Sequence, residues 1–274
     1  MKKSTNCYLC RSQGRYLFSV QKRELYRCGK CDLVWIKDFK QPNYLDYYND
    51  TTYIDCQSLF DNIFSRIAFI AEKFLPAKGS VFEIGASVGG LMSVFKKQGW
   101  EVSGIEPSKG AWKNAIKRGT NIKLGSFEKY LPKEKYNLVI INHTLEHVDD
   151  PVNVLSKVES MLTPGGMVLI GVPNFDSFKA RFLKEKWTHI LPLEHKWQYS
   201  PKSLKFLVEK TGFKIEKIYT SSGLFEHQSP LKEVFNSLKE GRKRFFTEIW
   251  NLPIDALETL FGHGEGLLLV AKKN

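Results

Sequence analysis

The chain has 274 residues, 42% of them hydrophobic and 26% charged, and carries a formal net charge of +12 at pH 7. This usage excludes a disordered or fibrous protein, and the length allows one substantial core with a small appendage. No apolar run approaches the roughly 20 residues of a membrane span, and Met1 to Asn6 lead into cysteines instead of an apolar signal region, so a cytoplasmic protein with no transmembrane segment is expected.

Lysine and arginine are spread along the whole chain. That pattern favours a solvated basic surface over a nucleic-acid partner, and leaves peripheral contact with an anionic membrane open. Four of the five cysteines, Cys7, Cys10, Cys28 and Cys31, form two C-x-x-C pairs. Cytoplasmic thiols stay reduced, so metal ligation is expected in place of disulfides. The 17 residues between Cys10 and Cys28 fall within the range of four-thiolate zinc sites, where a hairpin brings two knuckles together. Strand-like stretches at Arg15 to Val20 and Leu33 to Ile36 would build that hairpin. Residues 1–40 are too few for a core of their own, so a metal staple is expected, and four protein ligands leave no open position, which makes the zinc structural. Cys56 lies outside the pattern as a buried or idle thiol.

Residues 41–56 form a polar connector or lid with Tyr44, Tyr47, Tyr48 and Tyr53. From Leu59 to Phe74 apolar residues recur at helical spacing until Pro76 and Gly79 end the run. Short apolar strands then alternate with helical patterns, as in a parallel sheet flanked by helices. Strands are expected at 81–84, 102–106, 122–124, 138–142, 167–172, 213–219 and 267–271. Helices are expected at 151–162, opened by Pro151, and at 201–211, closed by Gly212. A helical insertion occupies about 226–262.

The stretch from Val81 to Gly90 is a buried strand running into a turn of small residues and then a helix, which lets the backbone approach a nucleotide-like ligand at the carboxyl edge of the sheet. Glu106 ends the next strand, where its carboxylate can accept both hydroxyls of a ribose. These features alone fit a nicotinamide dinucleotide or an adenosyl sulfonium cofactor.

The ordered series Glu83-x-Gly85, Gly89-Gly90, Glu106-Pro107-Ser108, Gly125-Ser126-Phe127-Glu128, His143-Thr144-Leu145-Glu146-His147-Val148-x-Asp150-Pro151, Leu162-x-Pro164-Gly165-Gly166 and Val172-Pro173-Asn174 resembles the motifs of class I S-adenosylmethionine-dependent methyltransferases over roughly residues 60 to 220. Trp187-x-His189 and Pro192 to Pro201 narrow the resemblance to bacterial members with an N-terminal zinc ribbon, which often act in sugar or cell-surface glycan biosynthesis. The resemblance implies an α/β, Rossmann-like seven-stranded methyltransferase sheet with helices on both faces, spanning 57–274 behind the zinc-ribbon module. One departure is Ser87, which stands where the family usually has glycine; its β-carbon resists positive φ.

By the same resemblance, Glu83 and Gly85, with Ala86, Ser87 and Gly89 of the turn, would meet the methionine end of the cofactor. Glu106 and Pro107 would meet the ribose, Ser126 and Phe127 would border the adenine, and Asn142 and His143 the transferable methyl. A hydroxyl acceptor needs a proton acceptor near neutral pH, for which His143 and His195 are the candidates and His147 and His189 the lesser ones. The segment from Trp187 to Tyr199 offers aromatic faces and polar groups suited to a sugar. The implied activity is O-methylation of a sugar or glycan-type small molecule. The alternatives are C-methylation of a nucleotide-linked sugar and a zinc-ribbon protein that binds or modifies RNA.

Overall fold

The computed structural model describes residues 5–45, 57–239 and 244–274; Cys56 and the connector tyrosines Tyr47, Tyr48 and Tyr53 lie outside them. Near the N-terminus, β1 (Thr5–Asn6), β2 (Gln13–Val20), β3 (Arg23–Cys28) and β4 (Val34–Ile36) form an antiparallel meander. Helix α1 (Gln57–Phe74) follows, and then the main sheet begins.

Seven strands make up that sheet: β5 (Ser80–Ile84), β6 (Glu101–Glu106), β7 (Asn121–Leu124), β8 (Tyr136–Asn142), β9 (Leu162–Pro173), β11 (Phe213–Ser221) and β12 (Gly266–Lys273). Their order is β11-β12-β9-β8-β5-β6-β7. β12 runs antiparallel to both of its neighbours, and the other pairings are parallel. From β5 the chain builds outward to β6 and β7 and then returns to β8 on the other side of β5. The strand order therefore reverses between β5 and β8, and a crevice opens at their carboxyl ends, where open α/β sheets bind ligands.

The central strands are apolar on both faces because helices cover both. In β8, Leu138 and Ile140 face one layer while Val139 and Ile141 face the other, the two-residue alternation of a strand. The first layer comes from α1 and α2 (Gly90–Lys97), through Ile67, Ile70, Met92 and Phe95. The second comes from α4 (Pro151–Met161) and α6 (Pro201–Lys210), through Val154, Leu155, Leu204 and Leu207. Starts are set by side-chain caps. Asp150 accepts the Asn153 N–H ahead of Pro151, Ser200 forms a reciprocal box with Ser203 ahead of Pro201, and Ser108 caps α3 (Lys109–Lys117).

One strand has no counterpart in the sequence pattern. β10 (Trp197–Gln198) leaves the second half of the chain and adds to the edge of β4, pairing Trp197 with Trp35 and Gln198 with Val34. The small sheet is thus five-stranded and reaches beyond residues 1–40. Cys7, Cys28, Cys31, Tyr26 and Trp35 belong to the same continuous apolar cluster as Trp197, Tyr199 and Leu145. Trp197 also donates its Nε1–H to the Val148 carbonyl at 2.7 Å, and Lys210 Nζ donates to the Leu9 carbonyl at 2.6 Å.

Between β11 and β12 lie the insertion helices α7 (Pro230–Lys239) and α8 (Arg244–Leu260). α8 turns its acidic side inward: Asp255 and Glu258 are buried, with Lys179 Nζ 2.8 Å from Asp255 and the Ser222 hydroxyl donating to Glu258 at 2.6 Å. Its Phe246, Trp250 and Leu260 are exposed, so these residues serve no internal core.

Because Trp197 joins the two sheets, Trp197→Ala should cost about 3 to 5 kcal/mol, the range for deleting a large buried aromatic. The thermal midpoint should fall by on the order of 10 °C, as read by differential scanning calorimetry; an unchanged midpoint would mean that the seam carries no stability.

Candidate functional site

A cavity of about 470 Å³ opens at the carboxyl edge where the strand order reverses. Its walls come from the ends of β5, β8 and β9, from α1, and from the start of β12, which reaches this edge because it runs antiparallel. The loop after α5 (Phe178–Leu183) closes one side with His189, Leu191, Glu194 and His195.

The turn after β5 bends back on itself. The N–H groups of Gly85 and Ala86 donate to the Ile105 carbonyl at 2.9 and 3.1 Å. Gly85 has φ +73°, and a β-carbon there would lie 2.3 Å from the Thr144 hydroxyl oxygen, so this position requires glycine on two counts. Ser87 adopts φ +47° despite its β-carbon, a conformation that costs about 1 to 2 kcal/mol. It is held by its N–H, which donates to Glu106 Oε2 at 2.8 Å, while Glu106 Oε1 accepts the Ser108 N–H at 2.7 Å. Glu106 therefore clamps the turn from the end of β6.

Glu83 ends up beneath this turn, 4% exposed, and its Oε2 has no hydrogen-bond partner among the described residues. Burial, with the Glu106 charge adding to it, pushes its carboxyl well above the usual range. A cationic group arriving in the cavity would relieve that cost.

On the opposite wall, His143 follows β8 with φ +50° and donates its backbone N–H to the Gly171 carbonyl at 2.8 Å. Its Nδ1 lies 3.5 Å from Oε1 of the buried Glu146. Burial lowers the His143 pKa, but the close approach to Glu146 and the charge of that carboxylate outweigh it, and the net shift is upward. Burial acts on Glu146 in the opposite sense and is likewise outweighed, by the nearby His143 ring and by the neighbouring histidines, which hold it at about 2. His195 is different: burial pushes it down to about 4 against the pull of Glu146, so it is neutral at physiological pH.

The cavity brings together Glu83, Gly85, Ala86, Ser87, Asn142, His143 and His195 of the residues expected from sequence. Gly89, Glu106, Pro107, Ser126 and Phe127 lie outside its lining. Gly89 caps α2 with φ +75°, where a β-carbon would meet the Thr120 hydroxyl at 2.9 Å. The Phe127 ring packs in the core with Phe82 and Tyr130, so it does not present a face to a ligand. Trp187, Trp197 and Tyr199 are likewise buried and cannot act as stacking platforms; Trp187 Nε1 donates to Glu265 at 2.7 Å, and Tyr199 packs under Leu145. His189 is the part of that segment with an accessible ring in the cavity.

Sequence reasoning missed Arg66, Glu226 and Glu265, which line the far side of the cavity. Arg66 was detectable as the basic residue in the middle of the apolar run of α1, Lys73 lying in its last turn; it donates to the Ser221 hydroxyl at 3.2 Å. Burial raises the Glu226 carboxyl to about 7 against the opposing charge of His143.

In the N-terminal sheet, the four sulfurs of Cys7, Cys10, Cys28 and Cys31 lie within 4.8 Å of one another. The Cys7–Cys31 and Cys10–Cys28 separations are 3.5 and 3.3 Å, close to the edge of about 3.8 Å that a tetrahedron with zinc–sulfur bonds of about 2.3 Å requires. The hydrogen bond from Cys31 holds the Cys7 thiol down, to about 5, and the same bond raises Cys31.

Comparison with known proteins agrees with this geometry. A family model described as a methyltransferase domain matches residues 57–218. The C-methyltransferase NovU of Streptomyces niveus is 23% identical over 215 residues, which is 76% of this chain and 50% of that protein, so the chain spans about half of NovU's length. The ubiquinone biosynthesis O-methyltransferase of Aliivibrio fischeri is 27% identical over 174 residues, covering 57% of this chain and 70% of the other. Among solved structures, a SAM-dependent methyltransferase from Archaeoglobus fulgidus superposes with a TM-score of 0.56 at 21% identity, covering 82% of this chain and 100% of that one. The plantazolicin methyltransferase BpumL in complex with SAH gives 0.54 at 19% identity, covering 82% and 86%. The fold is therefore that of the SAM-dependent methyltransferases, and the chain belongs to the methyltransferase-domain family.

Proposed function

We propose that the protein transfers a methyl group from S-adenosylmethionine to an oxygen of a sugar or glycan-type small molecule, and that Cys7, Cys10, Cys28 and Cys31 hold a structural Zn²⁺. The observation that carries the cofactor assignment is Glu83, a buried carboxylate with an unpartnered oxygen at the cavity wall. The α-ammonium of the cofactor's methionine portion is a cation of the right size for it. Glu106, fixed by two backbone N–H groups at the end of β6, is the acceptor for the ribose hydroxyls.

S-adenosylmethionine supplies a methyl carbon on a sulfonium, open to in-line displacement. The chain's task is to align the acceptor, exclude water and take up a proton. His143 is the group that takes the proton, because its Nδ1 faces the ionised Glu146, which steadies the imidazolium form and raises its basicity. His195, pushed down to about 4, is a far weaker base. Arg66, His189, Glu194, Glu226 and Glu265 ring the rest of the cavity with donors and acceptors, which suits a hydroxylated acceptor. A concave site of this volume favours a small molecule over a nucleic-acid strand. C-methylation of a nucleotide-linked sugar is the second reading, favoured by the resemblance to NovU. No helix of the described residues is long and apolar enough to cross a membrane; a cytoplasmic setting is proposed from the four free thiols.

Isothermal titration calorimetry tests the cofactor assignment. Glu83→Gln and Glu106→Ala should each weaken S-adenosylhomocysteine by about 1.5 to 3 kcal/mol, the worth of a hydrogen bond to a charged group; unchanged affinity in both variants would remove these residues from the site. For the chemistry, His143→Ala should lower kcat on an accepted sugar by about 10² to 10⁴. Glu146 raises the pKa of His143 above the ordinary imidazole range, so its base form is lost as pH falls through that raised pKa, and kcat should fall with it. That acidic limb should vanish in the variant; a wild-type profile that is flat from pH 6 to 8 would contradict the assignment.

A further inference from the structure

Beside His143 stands a set of side chains of which the proton transfer uses only Glu146, as the partner of His143. A ring nitrogen of His147, a ring nitrogen of His195 and a carboxylate oxygen of Glu146 lie within 4.8 Å of one another, and all three residues line the cavity. Glu146 is 1% exposed, and neither of its oxygens accepts a hydrogen bond among the described residues; the His143 ring nitrogen lies 3.5 Å away. A buried carboxylate keeps its charge only where cations or donors face it.

Both histidines are held from behind. His195 Nδ1 lies 2.9 Å from the His189 carbonyl, and His147 Nδ1 lies 3.1 Å from the Glu194 carbonyl, with the Tyr44 hydroxyl also 3.1 Å away. A carbonyl can only accept, so each Nδ1 carries the proton and each Nε2 keeps a lone pair. Support of this kind is how proteins commonly orient imidazoles that bind metals. Two imidazole nitrogens and one carboxylate suit a borderline divalent ion such as Zn²⁺, Mn²⁺, Fe²⁺ or Co²⁺.

We propose that Glu146, His147 and His195 hold a divalent cation at the wall of the catalytic cavity, distinct from the four-cysteine site. Three protein ligands leave coordination positions for two neighbouring oxygens of the acceptor, which would select acceptors with adjacent hydroxyls. The role assigned to the ion rests on the methyltransferase reading: it would lower the pKa of the hydroxyl it holds. The hydroxyl proton passes to His143, the oxygen bonds to the methyl carbon, and the carbon–sulfur bond breaks with its electron pair going to sulfur. The products are a methyl ether, S-adenosylhomocysteine and a protonated His143.

The test is a Co²⁺ titration of the full chain after elemental analysis has confirmed one zinc per chain. A second equivalent should bind with weak visible absorption and without the intense near-ultraviolet thiolate bands that exchange at the cysteines would give. His147→Ala should lose that equivalent, and Glu146→Gln should bind it about tenfold more weakly or worse. S-adenosylhomocysteine affinity, measured on the same samples, separates this claim from the cofactor assignment. A variant that still binds S-adenosylhomocysteine and has lost cobalt supports the site, as does a wild type that takes cobalt but not S-adenosylhomocysteine, a result that would instead sink the cofactor reading. No uptake of a second ion by the zinc-loaded wild type, or equal uptake by both variants, overturns the proposal.

Discussion

Two residues of antiparallel pairing, Trp197 and Gln198 against Trp35 and Val34, constrain the rest of the molecule. Through them the four-cysteine module is stitched to the catalytic sheet rather than trailing from it. The same short strand positions the cavity. Lys196 gives its carbonyl to the Ile36 N–H at 3.1 Å, Trp197 donates its backbone N–H to the Glu146 carbonyl at 3.2 Å, and Glu194 and His195 lie just upstream at the cavity wall. The small sheet that carries the four cysteines thus borders, through β10, the segment with Glu194 and His195 at the cavity wall. A structural zinc would act on activity through this seam, by keeping β4 rigid enough to hold β10.

Two buried carboxylates organise the electrostatics. Glu83 lies under the cofactor turn and Glu146 on the wall opposite; each has an oxygen without a hydrogen-bond partner among the described residues. Their environments differ. Glu83 faces another carboxylate, Glu106, and is driven toward its neutral form, whereas Glu146 is surrounded by His143, His147 and His195 and stays ionised. One site is therefore prepared for a cation brought by a ligand and the other for a cation retained by the protein or a proton exchanged with His143.

The sheet was legible in the sequence because a parallel sheet covered on both faces needs short, almost continuous apolar strands, and Val81 to Ile84, Leu138 to Ile141 and Met167 to Val172 supply them. The turn after β5 was legible for the same kind of reason: only small residues fit beside Thr144. Ser87 departs from that rule at a single backbone position, and the bond from its N–H to Glu106 accounts for how the chain accommodates it. β10 was not legible, since two residues carry no periodicity and their partner lies about 160 positions away. For that reason Trp187, Trp197 and Tyr199 read as stacking faces, while their burial serves the seam. The insertion was legible as helical but not in which side it buries: α8 packs Asp255 and Glu258 against Lys179 and Ser222 and leaves Trp250 outside. Arg66 stood out as a basic residue within an apolar run, but that it and Glu226 meet at the cavity depends on tertiary packing alone.

The reversal point between β5 and β8 is the proposed seat of the methyl donor, with its methionine end at Glu83. A crystal structure of the full chain with S-adenosylhomocysteine tests this most directly. The ligand's ammonium is expected within hydrogen-bond distance of Glu83, its ribose hydroxyls on Glu106, and its sulfur facing His143. Ligand density elsewhere, or in the cavity with the ammonium turned away from Glu83, would contradict it.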